Sequence, residues 1–484
     1  MLDALSGIVD LDRAAAASLY RQLYEQMRAA ILSGQLPAGT RVPASRSMAA
    51  QLGVARNTVL AALEQLVAEG FLETRQGAGT VVSGQLHGDI MRAVRPEPEQ
   101  EPQEYRLSKA ASHIAAVGRG TVGGENPRAF MPGIPDLRSF PREIWARLLR
   151  RASREMDAEA AAYGDTSGLP QLRVALSAHL REVRGVQAEP EQIVVTSSAQ
   201  GALDLLARAL LDPDDTVWVE DPGYLGARAA FSGVGASLIP VPVDQDGLNP
   251  RGDYPRPRLI YVTPSHQYPT GILMPLARRL ELLECAARHG AYVIEDDYDS
   301  EFQFQGRPVA ALQGMDRSGR VLYVGTFSKI LQPGIRVGYA VVPLPLAEPL
   351  ARMQRNTGHI ASAVVQLALA KFIEEGHLRA HVRRMCALYE ERQDTLVSAL
   401  VKNFSNFVSV NRPAGGMQLI AELPPEVDDV EIVMELGRKD IVARAVSQLT
   451  FGPQERRGLL MGYAGYSGET IGSKVATCRG IIDA

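Results

Sequence analysis

Lys329 is the residue from which the chemistry of this chain can be read. It stands directly after Ser328 and seven residues before Arg336, within VLYVGTFSKILQPGIRVGY (321–339). The apolar run Val321-Leu322-Tyr323-Val324 predicts a buried strand that delivers an amine to a loop with a hydroxyl and a guanidinium nearby. An amine desolvated in such a place has a lowered pKa and can attack a carbonyl to form a Schiff base. Ser328 and Arg336 can together hold a phosphate dianion. A Schiff-base lysine beside a phosphate site is what pyridoxal phosphate requires. Most lysines in glycine-rich loops are merely solvated, so the rest of the chain must supply the other contacts to such a cofactor.

Four further apolar runs lead into loops of suitable chemistry. Ile193-Val194-Val195 enters Thr196-Ser197-Ser198-Ala199-Gln200-Gly201 at the start of a helix, where free backbone N–H groups attract anions. Val217-Trp218-Val219 runs into Glu220-Asp221-Pro222-Gly223-Tyr224, with Arg228 beyond it, and Tyr224 could stack on a flat ring. Leu259-Ile260-Tyr261-Val262 leads to TPSHQYPTG (263–271), and Tyr292-Val293-Ile294 to Glu295-Asp296-Asp297-Tyr298-Asp299. A protonated pyridine nitrogen needs a carboxylate, and a ring 3-oxygen can meet a phenol. Asp296 and Tyr298 fit those roles, with Asp297 and Asp299 as alternative carboxylates. Strands alternating with helices predict an α/β fold with a mostly parallel sheet, which gathers ligands at the carboxyl ends of its strands.

The first eighty-odd residues are different. Leu19, Leu23, Met27 and Ile31 predict an amphipathic helix that Gly34 ends. Ser45 is positioned to cap a short second helix (46–52), and Gly53 turns the chain into a third, from about 55 to 68, with the apolar stripe Val59, Leu63, Leu66 and Val67. Residues 71–75 and 80–82 read as strands joined by Gln76-Gly77-Ala78-Gly79. Three helices and a hairpin make a winged helix-turn-helix, mainly α, whose third helix would enter a DNA major groove with Arg56, Asn57 and Thr58 in its first turn. From Gln26 to Leu63 there is no Asp or Glu, while Arg28, Arg41, Arg46 and Arg56 are present, a local basic face suited to phosphates.

The chain of 484 residues has net charge −4 and three widely spaced cysteines. These totals predict more than one domain, a reducing compartment and no metal site. No apolar run is long enough for a bilayer, and the acidic N-terminus is not a secretory signal. Arg95-Pro96-Glu97-Pro98-Glu99-Gln100-Glu101-Pro102 reads as an extended spacer. The expected division is therefore 1–83, a linker at 84–125, and a domain at 126–484 with a large part to about 340 and a small part beyond.

PAGTRVPASRSMAAQLGVARNTVLAALEQLVAEGFLETRQGAGTVV (37–82) resembles the DNA-binding domain of GntR-type bacterial regulators. That resemblance implies DNA contacts from Arg46, Arg56 and Thr58, alongside Asn57, Arg75 and the wing glycines Gly77 and Gly79. The loop order after Phe130 resembles fold-type I aminotransferases. It implies Lys329 as the aldimine lysine, Asp296 on the pyridine nitrogen, Tyr298 on the 3-oxygen and Tyr224 on the ring. It places Ser198, Ala199, Gln200, Thr326, Ser328 and Arg336 around the phosphate. Tyr268 stands where those enzymes commonly have asparagine. Leu459 or Leu460 stands where amino-acid aminotransferases usually carry the arginine that grips a substrate carboxylate, with Arg456 and Arg457 slightly early. Arg228 is then a candidate for that grip, with His266 and Tyr268 beside the effector. The whole architecture, with FSKILQPGIRVGY and TPSHQYPTG, resembles MocR-type transcription regulators. It implies a cytoplasmic homodimer that binds an operator in double-stranded DNA upstream of a regulated gene and senses an amine, an amino acid or pyridoxal phosphate itself. The rival reading is a working aminotransferase fused to a DNA-binding module.

Overall fold

The computed structural model describes residues 8–15, 17–75, 79–84, 106–117, 128–162, 164–304, 309–404, 407–452 and 456–482. The chain forms two units, Met1–Tyr105 and Arg106–Ala484.

In the first unit, α1 (Leu19–Leu32) buries Leu23, Met27 and Ile31 on one face. The Ser18 side chain accepts a hydrogen bond from the Arg21 backbone N–H and so caps the helix. Helices α2 (Ser45–Leu52) and α3 (Arg56–Ala68) meet at Gly53, whose φ of 65° is left-handed and suits glycine. Ser45 does not cap α2 as expected. It is the first helical residue, Ala44 stands at the cap, and the Ser45 hydroxyl is 3.5 Å from Arg56 Nε. Val67 is 37% exposed, and Ala62 fills the core beside Leu63 and Leu66 instead, because at 3.6 residues per turn Val67 falls about 80° around the helix from Val59, at the edge of the buried face. The antiparallel pair β1 (Leu72–Arg75) and β2 (Gly79–Val82) closes the unit, with Leu72 opposite Val82 and Arg75 opposite Gly79. Gly77 lies outside the described residues.

The second unit begins inside the span expected to be a spacer. Helix α4 (Lys109–Ala116) is capped by the Ser108 side chain. It packs so closely on helix Leu225–Gly233 that a Cβ on Gly233 would lie 2.8 Å from Ile114 Cδ1. The proline-rich part, 95–103, lies outside the described residues.

The large sheet comprises β3 (Ile193–Thr196), β4 (Thr216–Asp221), β5 (Ser237–Asp244), β6 (Gly247–Leu248), β7 (Leu259–Val262), β8 (Tyr292–Asp297), β9 (Val321–Thr326) and β10 (Gly338–Val341). Their order is β3-β10-β9-β8-β7-β4-β5-β6. β5, β4, β7, β8 and β9 are mutually parallel, while β10 runs against both β9 and β3. β9 and β10 therefore form a hairpin, with Gly338 opposite Thr326 and Phe327 N–H bonded to the Val337 carbonyl at 3.1 Å. Lys329 and Arg336 both lie in its tip. β3, β7 and β9 are buried on both faces and read as nearly continuous apolar runs, as strands of a sheet covered by helices must be. A smaller antiparallel sheet has the order β11 (Ser409–Val410), β12 (Gln418–Glu422), β14 (Gly458–Gly462) and β13 (Arg444–Ala445). It shares a core with helices His377–Phe404 and Gly468–Ile482 through Tyr389, Leu396, Leu419, Met461 and Ile471.

Candidate functional site

The carboxyl ends of β3, β4, β7, β8 and β9 open on one edge of the sheet, and every loop named from the sequence leaves from that edge. Thr326 ends β9, and its hydroxyl accepts the Ser328 backbone N–H at 3.2 Å, starting the short helix Phe327–Ile330. That turn presents Lys329, whose Nζ donates to the Gly133 carbonyl at 2.7 Å. Gly133 has φ of 70°, and a Cβ there would lie 2.6 Å from Nζ, so a glycine is required for the lysine to occupy this place. Burial holds the Lys329 ammonium below its ordinary pKa; the Arg444 guanidinium adds to that, while Asp299 and Asp296 oppose it. The lysine is thus prepared as a nucleophile.

On β8, Asp296 and Asp297 point to opposite faces, as strand alternation requires. Asp297 is neutralised by Arg184, whose Nε is 2.9 Å away, and it accepts the Tyr323 hydroxyl at 2.7 Å. Asp296 Oδ2 accepts the Tyr261 hydroxyl at 2.7 Å, but Oδ1 is buried without a hydrogen-bond partner. Desolvation pushes the Asp296 carboxyl up to about 7. This carboxylate lacks a cationic N–H donor, which is what a protonated pyridine nitrogen supplies. The sequence left three aspartates open for this role. Arg184 takes Asp297, and Asp299 lies 3.0 Å from His266 Nδ1 through each carboxylate oxygen.

The aromatic residues cluster above. Tyr224 and Tyr268 meet edge-on with ring centroids 5.6 Å apart, and Tyr268 and Tyr298 at 6.1 Å. At the start of helix Ala199–Leu210 the Ser198 hydroxyl accepts the Gly201 N–H at 3.0 Å, and Gln200 Nε2 donates to the Gly226 carbonyl at 2.9 Å. Gly338 packs under this turn, where a Cβ would lie 2.4 Å from the Ser198 carbonyl carbon. Arg336, exposed and with φ of 54°, stands at the hairpin tip just before Gly338. Lysine, unneutralised carboxylate, phenol and helix N-terminus thus share one sheet edge and fit the groups of pyridoxal phosphate.

Two expected effector contacts are differently engaged. The Arg228 guanidinium lies 4.1 Å over the Phe451 ring. His266 faces Asp299 and Tyr298 from a buried position. The place expected for a carboxylate-gripping arginine is apolar: Leu460 is buried against Leu225, Ile420, Val446 and Leu449. Its partner across the ladder is Arg444 on β13. Arg444 Nη1 donates to the Tyr268 hydroxyl at 3.4 Å, and its charge is felt at Lys329. Sequence reasoning missed this residue. The available signal was a lone charge inside the apolar run Ile441-Val442-Ala443-Arg444-Ala445-Val446. Arg456 and Arg457 are taken by Glu422 and Asp429, at 2.7 and 3.3 Å.

In the first unit Arg46, Arg56 and Asn57 are exposed and Thr58 half-buried, at the start of α2 and α3. Arg75 pairs with Glu73, and Gly79 is exposed beside the Arg41 guanidinium. Among the described residues no cluster of His, Cys, Asp and Glu could hold a metal, and no helix is long and apolar enough to cross a membrane.

Comparison with known proteins agrees with this layout. Residues 19–82 match the model for bacterial regulatory proteins of the gntR family, and residues 137–460 that for aminotransferase class I and II. The chain is 41% identical to the probable rhizopine catabolism regulatory protein MocR of Rhizobium meliloti, over 97% of this chain and 94% of that one. It is 32% identical to the HTH-type pyridoxine biosynthesis transcriptional regulator PdxR of Corynebacterium glutamicum, over 94% of each. The α-aminoadipate aminotransferase LysN of Thermus thermophilus, solved with N-(5'-phosphopyridoxyl)-L-leucine, matches at TM-score 0.71 and 28% identity, over 78% of this chain and 97% of that one. Likeness from end to end to such regulators, and not to the enzyme domain alone, makes this chain a member of the MocR-type transcriptional regulators of the GntR family.

Proposed function

We propose that this regulator binds pyridoxal phosphate at Lys329 and uses it to sense an amine or amino acid, or the cofactor itself. The observation that carries the reading is the buried, unpartnered Oδ1 of Asp296 on the same sheet edge as the half-buried Lys329. The cofactor supplies an aldehyde carbon open to primary amines and a ring that withdraws electrons. Asp296 would hold the ring nitrogen's proton, Tyr298 would donate to the 3-oxygen and Tyr224 would cover the ring face. Ser198, Ala199, Gln200, Thr326, Ser328 and Arg336 would hold the phosphate through backbone N–H groups, hydroxyls and a guanidinium. Arg444, beside Tyr268, would receive an effector carboxylate. Arg46, Arg56, Asn57, Thr58, Arg75 and the wing at Gly77 and Gly79 would meet double-stranded operator DNA. The protein would act in the cytoplasm as a homodimer.

Absorbance of the purified protein supplied with pyridoxal phosphate tests the cofactor reading. Wild type should show a visible band that Lys329→Ala loses and that added amines perturb, most strongly those that also carry a carboxylate. No lysine-dependent band would sink the reading. Sustained keto-acid production would instead favour the aminotransferase reading. For DNA, Arg56→Ala should weaken binding to the gene's own upstream region about tenfold or more in a gel shift, the cost of one lost base contact. Equal binding would remove Arg56 from the interface.

A further inference from the structure

Resting on the cofactor reading above, we propose that His266 and Asp299 form a positioning pair that aims the hydroxyl hydrogen of Tyr298 into the cofactor site. His266 Nδ1 lies 3.0 Å from both oxygens of Asp299 and 3.2 Å from the Tyr298 hydroxyl oxygen. The ring is held in place by two glycines. A Cβ on Gly416 would lie 2.1 Å from its Cε1, and one on Gly271 would lie 2.9 Å from its Nε2. Nε2 is buried and has no hydrogen-bond partner.

These contacts select one tautomer. A hydrogen on Nε2 would be a buried donor with nothing to receive it, and the Nδ1 lone pair would face a carboxylate. Both arrangements are costly. A hydrogen on Nδ1 is donated to Asp299 and leaves only a bare lone pair at Nε2. Nδ1 then offers no lone pair to Tyr298. Among the described residues His266 is the one group within hydrogen-bonding distance of that hydroxyl, so the phenol hydrogen has no acceptor among them. It is free to be donated to the ring 3-oxygen. The titratable groups facing Tyr298 are Asp299, Tyr268, Asp296 and Glu220, and Arg444 and Asp299 also act on Lys329. A donor held on the 3-oxygen favours its anionic form and lowers the pH at which the lysine-bound cofactor releases its proton.

The test is a pH titration of the visible absorbance of the full-length regulator loaded with pyridoxal phosphate. In His266→Ala the Asp299 carboxylate loses its Nδ1–H donor and competes for the phenol hydrogen, so the transition should rise by about one pH unit, the size of one lost hydrogen bond. His266→Asn, whose amide nitrogen can stand where Nδ1 stands, should stay near wild type. In a Tyr298→Phe background His266→Ala should add no further shift, because the pair acts through that hydroxyl. An unshifted His266→Ala, or an equal shift in the Tyr298→Phe background, would overturn the proposal. So would a His266→Ala protein that fails to retain cofactor while Tyr298→Phe retains it. A wild type without a lysine-dependent band would overturn the cofactor reading and the pair with it.

Discussion

Asp296 carries a prediction about stability as well as binding. Its folded pKa of about 7 stands above the usual aspartate value near 3.9, because burial disfavours the charged form. A raised folded pKa contributes stability that is fully present below the unfolded pKa and is lost as pH climbs through the folded one. In cofactor-free protein, Asp296→Asn should therefore melt several degrees above wild type at pH 8, with the gap closing as pH falls from about 7 towards about 4. Differential scanning fluorimetry at stepped pH reads this directly. The same variant should hold cofactor less tightly, so the two effects have opposite signs. The sequence alone singled out Lys329, Asp296 and Tyr298, since each stands within five residues of the end of an apolar run. Choosing among Asp296, Asp297 and Asp299 required their partners, Arg184 and His266, which are distant in the chain. Arg444 escaped notice because its strand is two residues long and has no periodicity of its own.

At the scale of elements, the alternation of apolar runs with helices was enough to place the loops at strand ends. The antiparallel direction of β10 was not readable, because buried strands of either direction present the same continuous apolar run. Helix α4 was hidden for a similar reason: eight residues beside a proline-rich stretch carry little periodic signal. The reversed β10 brings Gly338 beneath the Ser198–Ala199 turn and yields a matched pair of variants. Gly338→Ala places a Cβ 2.5 Å from the Ala199 nitrogen, whereas a Cβ on Gly334 would meet nothing within 4 Å. Overpacking of the first kind costs about 1–3 kcal/mol, so Gly338→Ala should weaken cofactor binding by about tenfold or more. Gly334→Ala should leave it unchanged. Absorbance titration with pyridoxal phosphate measures both, and equal affinities would show that this turn does not hold the phosphate.

For the whole molecule, regulation requires that the effector distinguish two states of the protein. If an amine changes operator affinity by some factor, operator DNA must change amine affinity by the same factor, typically about 5–150-fold. Titrating the amine by cofactor absorbance with and without operator DNA, and the operator by gel shift with and without amine, gives two independent values. Unequal values would mean that the absorbance change and the DNA response report different binding events. The β9–β10 hairpin has one more consequence. Its tip spans only 327–337, closed at its base by the Phe327–Val337 hydrogen bond, yet it carries both the amine and the guanidinium of the site. Loops elsewhere on the sheet edge can lengthen or shorten and leave the strands in register. In this tip a single inserted residue alters the spacing of Lys329 from Arg336, or breaks the pairing that leads into Gly338. Length variation should therefore be tolerated less here than in the other loops of the sheet edge.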